Sequence, residues 1–208
     1  PSLNAAKNVT VIDETAIKNS HAKYVPELLR GIAGIVVRGF LGNGKSVEVD
    51  IRGFGESGVS NTLVLIDGRR TNQIDISGTD WAQIDIDSIE RIEILRGPQT
   101  VLYGDNATGG VINIITKRGK SKKPTIGFKY GTGSYKYSSL KTDVEGRSDF
   151  LDYFASLSRT FTNGYRVNNG LETIDLNGNA TMKPVDNLRL RLYGGYHKDW
   201  FGLPGALS

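Results

Sequence analysis

The chain has 208 residues, of which 38% are hydrophobic and 23% charged, a composition that is ordinary for a folded protein and excludes disorder as the default. Cysteine is absent and only His21 and His197 could supply imidazole, so we expect no metal site and no cofactor. The net charge of +4 comes from basic residues interspersed with acidic ones, and we expect no nucleic-acid partner.

Hydropathy does not predict a membrane helix, because no apolar stretch approaches the roughly 18 residues that one needs. Transmembrane β-strands cross with about 10 alternating residues each, so a membrane location stays open. The sequence begins at Pro1 without a signal-peptide pattern, and we expect this start to be processed or trimmed.

The first 120 residues mix helix and strand patterns. Asp13 is expected to cap a brief helix through Ile17, Pro26 to open a second helix that ends at Arg30, and Asp67-Gly68 to form a hairpin turn. The predicted strands are Val9–Ile12, Gly34–Arg38, Ser46–Arg52, Leu63–Ile66, Arg91–Leu95 and Val111–Ile115. Residues 1–120 therefore predict a compact α+β domain.

Residues 121–208 show a different pattern, in which long strands alternate between an apolar and a strongly polar face. One such strand is more often part of a soluble sheet, but five in succession with aromatic residues near their ends are typical of a transmembrane β-barrel. A slip in the alternation is predicted at Ser138-Ser139. Transmembrane barrels need at least about 8 strands, so we expect the first strands of an incomplete barrel.

The segment Gly39–Ser46 satisfies the P-loop pattern G-x-x-x-x-G-K-[ST], and Leu63–Asp67 has the character of a Walker-B strand. A P-loop needs a helix that begins at Gly44-Lys45, because the amides of its first turn hold the phosphates. The residues that follow alternate as a strand does. A strand at this position disfavours a P-loop, and a nucleotide-binding enzyme is kept as the alternative interpretation. Elsewhere in the sequence, no nucleophile, base and orienting group can be combined into a catalytic site.

A long motif near the end of the first domain resembles the C-terminal signature of TonB-dependent receptor plugs. It runs from Arg91 to Gly104, includes Arg96-Gly97-Pro98-Gln99, and continues from Ala107 to Lys117. The earlier segments resemble the family in order and spacing over about residues 8–120, except that Ala33-Gly34 replaces a frequent Pro-Gly. The Gly-Pro-Gln-Thr sequence is similar to that of the siderophore and cobalamin branch.

This resemblance implies a bacterial outer-membrane receptor without enzymatic activity. Its fold is an α+β plug domain followed by antiparallel strands of a barrel of about 22 strands, embedded in the outer-membrane lipid of a Gram-negative cell. It implies active import of an extracellular small molecule, such as a ferric siderophore or cobalamin, with energy from the TonB protein. A TonB box is not evident before Val9, and we expect it upstream. A receptor that signals without importing is a further alternative.

The resemblance also implies where the ligand binds. The plug apices are expected at Leu41–Lys45, Gly55–Asn61 and Asp75–Trp81, which are glycine-rich or polar links between strands. Trp81 could contact the ligand or pack on the plug core, two roles that its sequence context does not separate. The candidate contacts are Asn43, Ser57, Asp75, Ser77 and Trp81.

Arg52 and Arg96 are candidates for holding the plug in the barrel. Each follows apolar strand residues, and in the family the matching Ile-Arg-Gly and Leu-Arg-Gly-Pro motifs resemble a latch that pairs with glutamates on the inner barrel wall. A planar guanidinium can grip a carboxylate through two parallel hydrogen bonds. The carboxylate partners are expected beyond Ser208.

Overall fold

The computed structural model describes residues 9–39, 47–72, 78–185 and 187–205. They form two compact units, and the chain passes from the first to the second between Thr116 and Lys117, close to the domain boundary predicted at residues 120 and 121. Within the described ranges, no helix has the length and apolarity needed to cross a membrane.

The helices of the first unit are short and begin at capping residues. The Asp13 carboxylate accepts a 2.8 Å hydrogen bond from the Ala16 amide and caps the first helix, while Pro26 lies in the first turn of the second. Both helices were predicted. The helices are α1 (Glu14–Ser20), α2 (Val25–Leu29), α3 (Gly58–Asn61) and α4 (Thr100–Tyr103).

The strands of the first unit form a five-stranded sheet and a separate two-stranded ribbon. They are β1 (Val9–Asp13), β2 (Ile35–Gly39), β3 (Val47–Ile51), β4 (Thr62–Ile66), β5 (Arg69–Arg70), β6 (Ile89–Arg96) and β7 (Gly110–Thr116). The sheet order is β1-β6-β7-β4-β5, with β4 and β7 parallel and the other pairs antiparallel. Asp67 and Gly68 both have positive φ in the tight β4–β5 turn, as predicted for this hairpin.

The core of the first unit lies between this sheet and the helices. Among the described residues of this unit, sixteen buried ones form one cluster, whose central side chains are branched aliphatic residues of β6 and β7 together with Leu29 of α2. Trp81 belongs to the same cluster and is 2% exposed. The predicted α+β fold is confirmed.

The ribbon β2–β3 decides against the nucleotide-binding alternative. Residues 47–51, where a P-loop requires the first turns of a helix, form β3 and pair antiparallel with β2. Without that helix the amides cannot converge on a phosphate. Residues 40–46, with the rest of the motif, lie outside the described part of the chain.

The second unit is an antiparallel meander in the order β12-β11-β10-β9-β8. The predicted slip at Ser138-Ser139 is wrong, because both residues keep continuous register with β8 and β10, and the irregularity lies between Met182 and Val185. Tyr135 lies in the preceding turn at φ 57°, and Tyr137 lies on the face opposite Leu140, so the strand needs no slip. The strands are β8 (Thr125–Gly133), β9 (Tyr137–Arg147), β10 (Leu151–Thr162), β11 (Leu171–Val185) and β12 (Leu188–Phe201).

One face of this meander carries exposed apolar side chains, and the opposite face carries buried polar side chains. We call the face that carries Leu157, Leu176 and Phe128 the apolar face and the opposite face, with Ser158 and Asp175, the polar face. Leu157, Leu176 and Phe128 are 53%, 50% and 71% exposed, whereas Ser158 and Asp175 are 7% and 5% exposed. A water-soluble sheet shows the opposite arrangement.

Candidate functional site

One of the three predicted apices, Gly55–Asn61, is described in full. It forms a single 3-10 turn and the short helix α3 directly after β3. The Asp50 carboxylate accepts hydrogen bonds of 3.0 and 2.9 Å from the amides of Phe54 and Gly55, and the Arg38 guanidinium donates to the Gly55 carbonyl at 3.2 Å. Side chains of the ribbon therefore hold the start of this loop.

The residues that hold the loop form a buried charged cluster. Glu48 and Asp50 are 7% and 0% exposed, and their carboxylates lie 3.2 and 3.8 Å from the Arg38 guanidinium. Buried carboxylates are stable only with such partners, since an unpaired buried charge is strongly destabilising. A Cβ at Gly58 would lie 2.6 Å from the Asp50 side chain, so α3 can approach the cluster only with glycine there.

Sequence reasoning missed this cluster. The alternation Val47-Glu48-Val49-Asp50-Ile51 predicts a wet face for the two acids, but in the structure α3 covers that face. The only usable signal was the glycine at position 58, and its meaning depends on a contact that the sequence does not show.

The predicted ligand contacts fall into three groups. Ser57 is exposed, and its hydroxyl donates a 3.0 Å hydrogen bond to the Phe54 carbonyl. Trp81 lies in the core, where the Asp80 carboxylate caps its turn, so the structure gives it the second of the two roles considered from sequence. Asn43, Asp75 and Ser77 lie outside the described residues.

Arg52 has an unusual backbone conformation. Its φ is 74°, in the left-handed region that favours glycine, and Gly53 and Gly55 follow with positive φ. Its amide donates a 3.0 Å hydrogen bond to the Gly34 carbonyl, and a Cβ added at Gly97 would lie 3.5 Å from its guanidinium. The turn thus places the exposed Arg52 guanidinium next to Gly97.

Arg96 ends β6 and packs against the same Ala33-Gly34 corner. Its Nε donates to the Ala33 carbonyl at 3.1 Å, and its Nη1 donates to the Thr10 hydroxyl at 2.7 Å. Gly34, at φ 79°, would place a Cβ only 3.6 Å from Arg96 Nε.

The Arg52 guanidinium therefore lies beside the turn at Gly97, and the Arg96 guanidinium lies beside the turn at Gly34. We call these two residues the arginine pair. Within the part of the chain that the structure describes, no carboxylate lies within ion-pair distance of either one. Two adjacent cations with unused donors can grip carboxylates. Over the same described residues, no group of three or more histidine, aspartate or glutamate side chains is arranged to hold a metal ion.

A third arginine is held differently. Arg70 donates a 2.6 Å hydrogen bond to Asp105, on the link after α4. This hydrogen bond lowers the pKa of the Asp105 carboxyl below its ordinary value and raises the pKa of Arg70. Arg70 is thus neutralised within the first unit, unlike the arginine pair.

Comparisons with known proteins agree with the fold of both units. The TonB-dependent Receptor Plug Domain family matches residues 1–111. The vitamin B12 transporter BtuB of Vibrio vulnificus is 34% identical over 164 residues, which are 79% of this chain and 24% of that protein.

Two solved structures resemble the chain over both units. The siderophore receptor PirA of Acinetobacter baumannii is 25% identical with a TM-score of 0.73, covering 93% of this chain and 32% of the receptor. The ferric yersiniabactin uptake receptor FyuA of Yersinia pestis shares the fold at 21% identity and a TM-score of 0.76, with 93% and 32% covered. The chain spans only about a quarter to a third of these relatives, and it belongs to the TonB-dependent receptors, whose plug domain it carries.

Proposed function

We propose that the chain is the plug and the first barrel strands of an active importer in the outer membrane of a Gram-negative bacterium. The observation that carries this proposal is the inverted exposure of the second unit. Its apolar face is open and its polar face is buried, which is stable where the surroundings of the sheet are lipid and its interior is wet. The apolar face is then the lipid-facing surface.

The ligand is proposed to be a ferric siderophore or cobalamin. The similarity to BtuB and PirA supports this class, because those relatives are a vitamin B12 transporter and a siderophore receptor. Ser57, on a loop fixed by buried charges, is suited to ligand contact, since a rigid loop loses little entropy on binding. We propose that Asn43, Asp75 and Ser77 complete this surface and that Trp81 supports it from the core.

The arginine pair is proposed to latch the plug to glutamates of later barrel strands. The support is geometric, because both guanidiniums lie beside glycine turns, and among the described residues neither of them is paired with a carboxylate. A left-handed conformation at a residue other than glycine costs roughly 1 to 3 kcal/mol and is typical of functional positions. Energy for import is proposed to come from TonB acting on a segment before Val9.

A binding assay on the full-length receptor tests this proposal. The purified receptor is titrated with a panel of ferric siderophores and with cobalamin while intrinsic tryptophan fluorescence is recorded. We expect micromolar or tighter binding of one class, weakened about tenfold or less by Ser57→Ala, since one neutral hydrogen bond contributes roughly 1 kcal/mol.

Ser20→Ala is the matched control. Its hydroxyl donates to the Ile17 carbonyl three residues back, the same local geometry as Ser57, but at the end of α1. Binding of no ligand in the panel, combined with micromolar ATP binding that Lys45→Ala abolishes, would contradict the importer and support the nucleotide-binding alternative.

A further inference from the structure

The apolar face of the second unit is not uniform along its length. Positions along the strands are numbered here by the residues of β10, because β10 pairs with both neighbouring strands. At the levels of Leu151, Tyr153, Ala155 and Leu157, every apolar-face residue that the register aligns across the meander is uncharged. Charges on this face begin only at the next two levels, those of Arg159 and Phe161.

The charges at this end are mostly basic. Arg159 donates to Glu172 from Nε and Nη2 at 2.9 and 2.6 Å, which leaves Nη1 unused in that ion pair. Lys198 aligns with Arg159 through Ile174, and its ammonium lies 4.5 Å from the centroid of the Trp200 ring. Among the described residues no carboxylate is paired with Lys198. The patch therefore has an excess positive charge.

A cavity opens beside this patch on the same face. Its volume is about 350 Å³, and it is lined by Tyr130, Ser138, Ser139, Leu140, Arg159 and Phe161. Tyr130 and Leu140 are 64% and 45% exposed, so the apolar walls have no partner within the unit. Arg159 is the one charged residue of the lining, and it places a cation at the edge of an apolar groove.

The longest link of the second unit places this end of the meander at the outer side of the membrane. The link 163–170 between β10 and β11 is the longest in the unit, whereas the turn 148–150 at the other end is short. Outer-membrane barrels have short periplasmic turns and longer extracellular loops. The cavity and its cations then lie at the level where the outer leaflet meets water.

We infer that the surface formed by Tyr130, Leu140, Arg159, Phe161, Lys198 and Trp200 binds a lipid of the outer leaflet with a phosphorylated headgroup. Guanidinium and ammonium donors contact the phosphate oxygens, and the groove takes the start of an acyl chain. Trp200 and Phe161 lie at the interface, where aromatic rings are most stable. Glu172 limits the affinity because it competes for Arg159. This inference rests on the outer-membrane location proposed above.

Lipid binding is measured on the full-length receptor in detergent by the shift of its melting temperature with added lipid A. Lipid A with two phosphates should raise the melting temperature, and the same lipid without phosphates, or inorganic phosphate alone, should not. Arg159→Gln with Lys198→Gln should weaken binding about 25-fold, since each cation near an anionic lipid surface contributes roughly a fivefold factor. Glu172→Gln should bind more tightly than the wild type.

The control removes the same charge from the opposite end of the unit, in Lys122→Gln with Lys123→Gln, and should bind as the wild type does. To guard against a variant that folds poorly, Arg159→Gln with Glu172→Gln removes the ion pair as a neutral unit and should still weaken lipid binding. Equal lipid A binding by wild type and both Arg159 variants would overturn the inference, as would equal stabilisation by inorganic phosphate.

Failure of this site can be distinguished from failure of the proposed function. The lipid site alone is contradicted if the receptor fractionates with the outer membrane and imports its ligand, but its lipid binding is unchanged by the Arg159 and Lys198 substitutions. A receptor that is absent from the outer membrane contradicts both. Ligand uptake by the Arg159 and Lys198 variants should equal that of the wild type.

Discussion

Individual side chains divide into those that the local sequence determines and those that tertiary contacts determine. The Asp13 cap and the Asp67-Gly68 turn depend on neighbours within a few residues, and both were predicted. Asp50 is covered by α3, the next helix along the chain, and Trp81 packs among core residues from several distant segments, so alternation and loop polarity could not predict their positions. The contacts of Arg96 with Ala33 and Thr10 depend on distant segments in the same way.

The arginine pair leads to a prediction at this scale. Arg52→Ala with Arg96→Ala in the full-length receptor should loosen the plug and leave barrel insertion intact, because the proposed latch would lose both guanidiniums and leave its barrel carboxylates buried without a partner. Removing one partner of a buried pair costs roughly 3 to 5 kcal/mol. The measurement is ion conductance across planar bilayers, which we expect to rise.

Two further variants sharpen this experiment. Arg52→Gly removes the guanidinium but suits the φ of 74°, so it should raise conductance without the backbone strain that alanine would retain. Arg70→Ala is the control, since Arg70 is paired with Asp105 inside the plug and should leave conductance unchanged. A double alanine variant whose conductance equals that of the wild type would contradict the proposed latch.

At the scale of elements, hydrophobic period was the most informative signal. The period of two identified all five strands from β8 to β12 and separated β3 from a P-loop helix, even though the motif itself matched. The predicted slip was wrong because Tyr137, an aromatic residue, lies on the face opposite Leu140 rather than on the apolar face. Sheet order was not predicted, since the parallel β4–β7 pair joins segments more than 40 residues apart.

The second unit should not be stable as an isolated element. Expressed alone, residues 124–208 should aggregate or stay disordered in water, because β8 and β12 are open edges and the apolar face is exposed. Residues 1–120, which contain their own core, should be soluble and partly folded. Circular dichroism and sedimentation velocity on the two fragments test this. Monomeric, cooperatively folding residues 124–208 would contradict the lipid-facing assignment.

In the whole molecule, a plug whose loop is held by buried charges precedes strands that expose their apolar side. The identity of the ligand cannot be predicted from this chain, because it spans about a quarter of BtuB and a third of PirA and most of a receptor's length lies elsewhere. The family and fold are carried by the plug signature and the strand period, both of which lie within these residues.

Uptake of the bound ligand by intact cells tests whether the receptor is an importer driven by TonB. Cells that lack the receptor are complemented with the full-length wild type, in strains with and without TonB, and accumulation of the labelled ferric siderophore or cobalamin is followed over time. We predict accumulation only where receptor and TonB are both present, with surface binding alone in the strain without TonB. Accumulation that is independent of TonB, or equal with and without the receptor, would contradict the account.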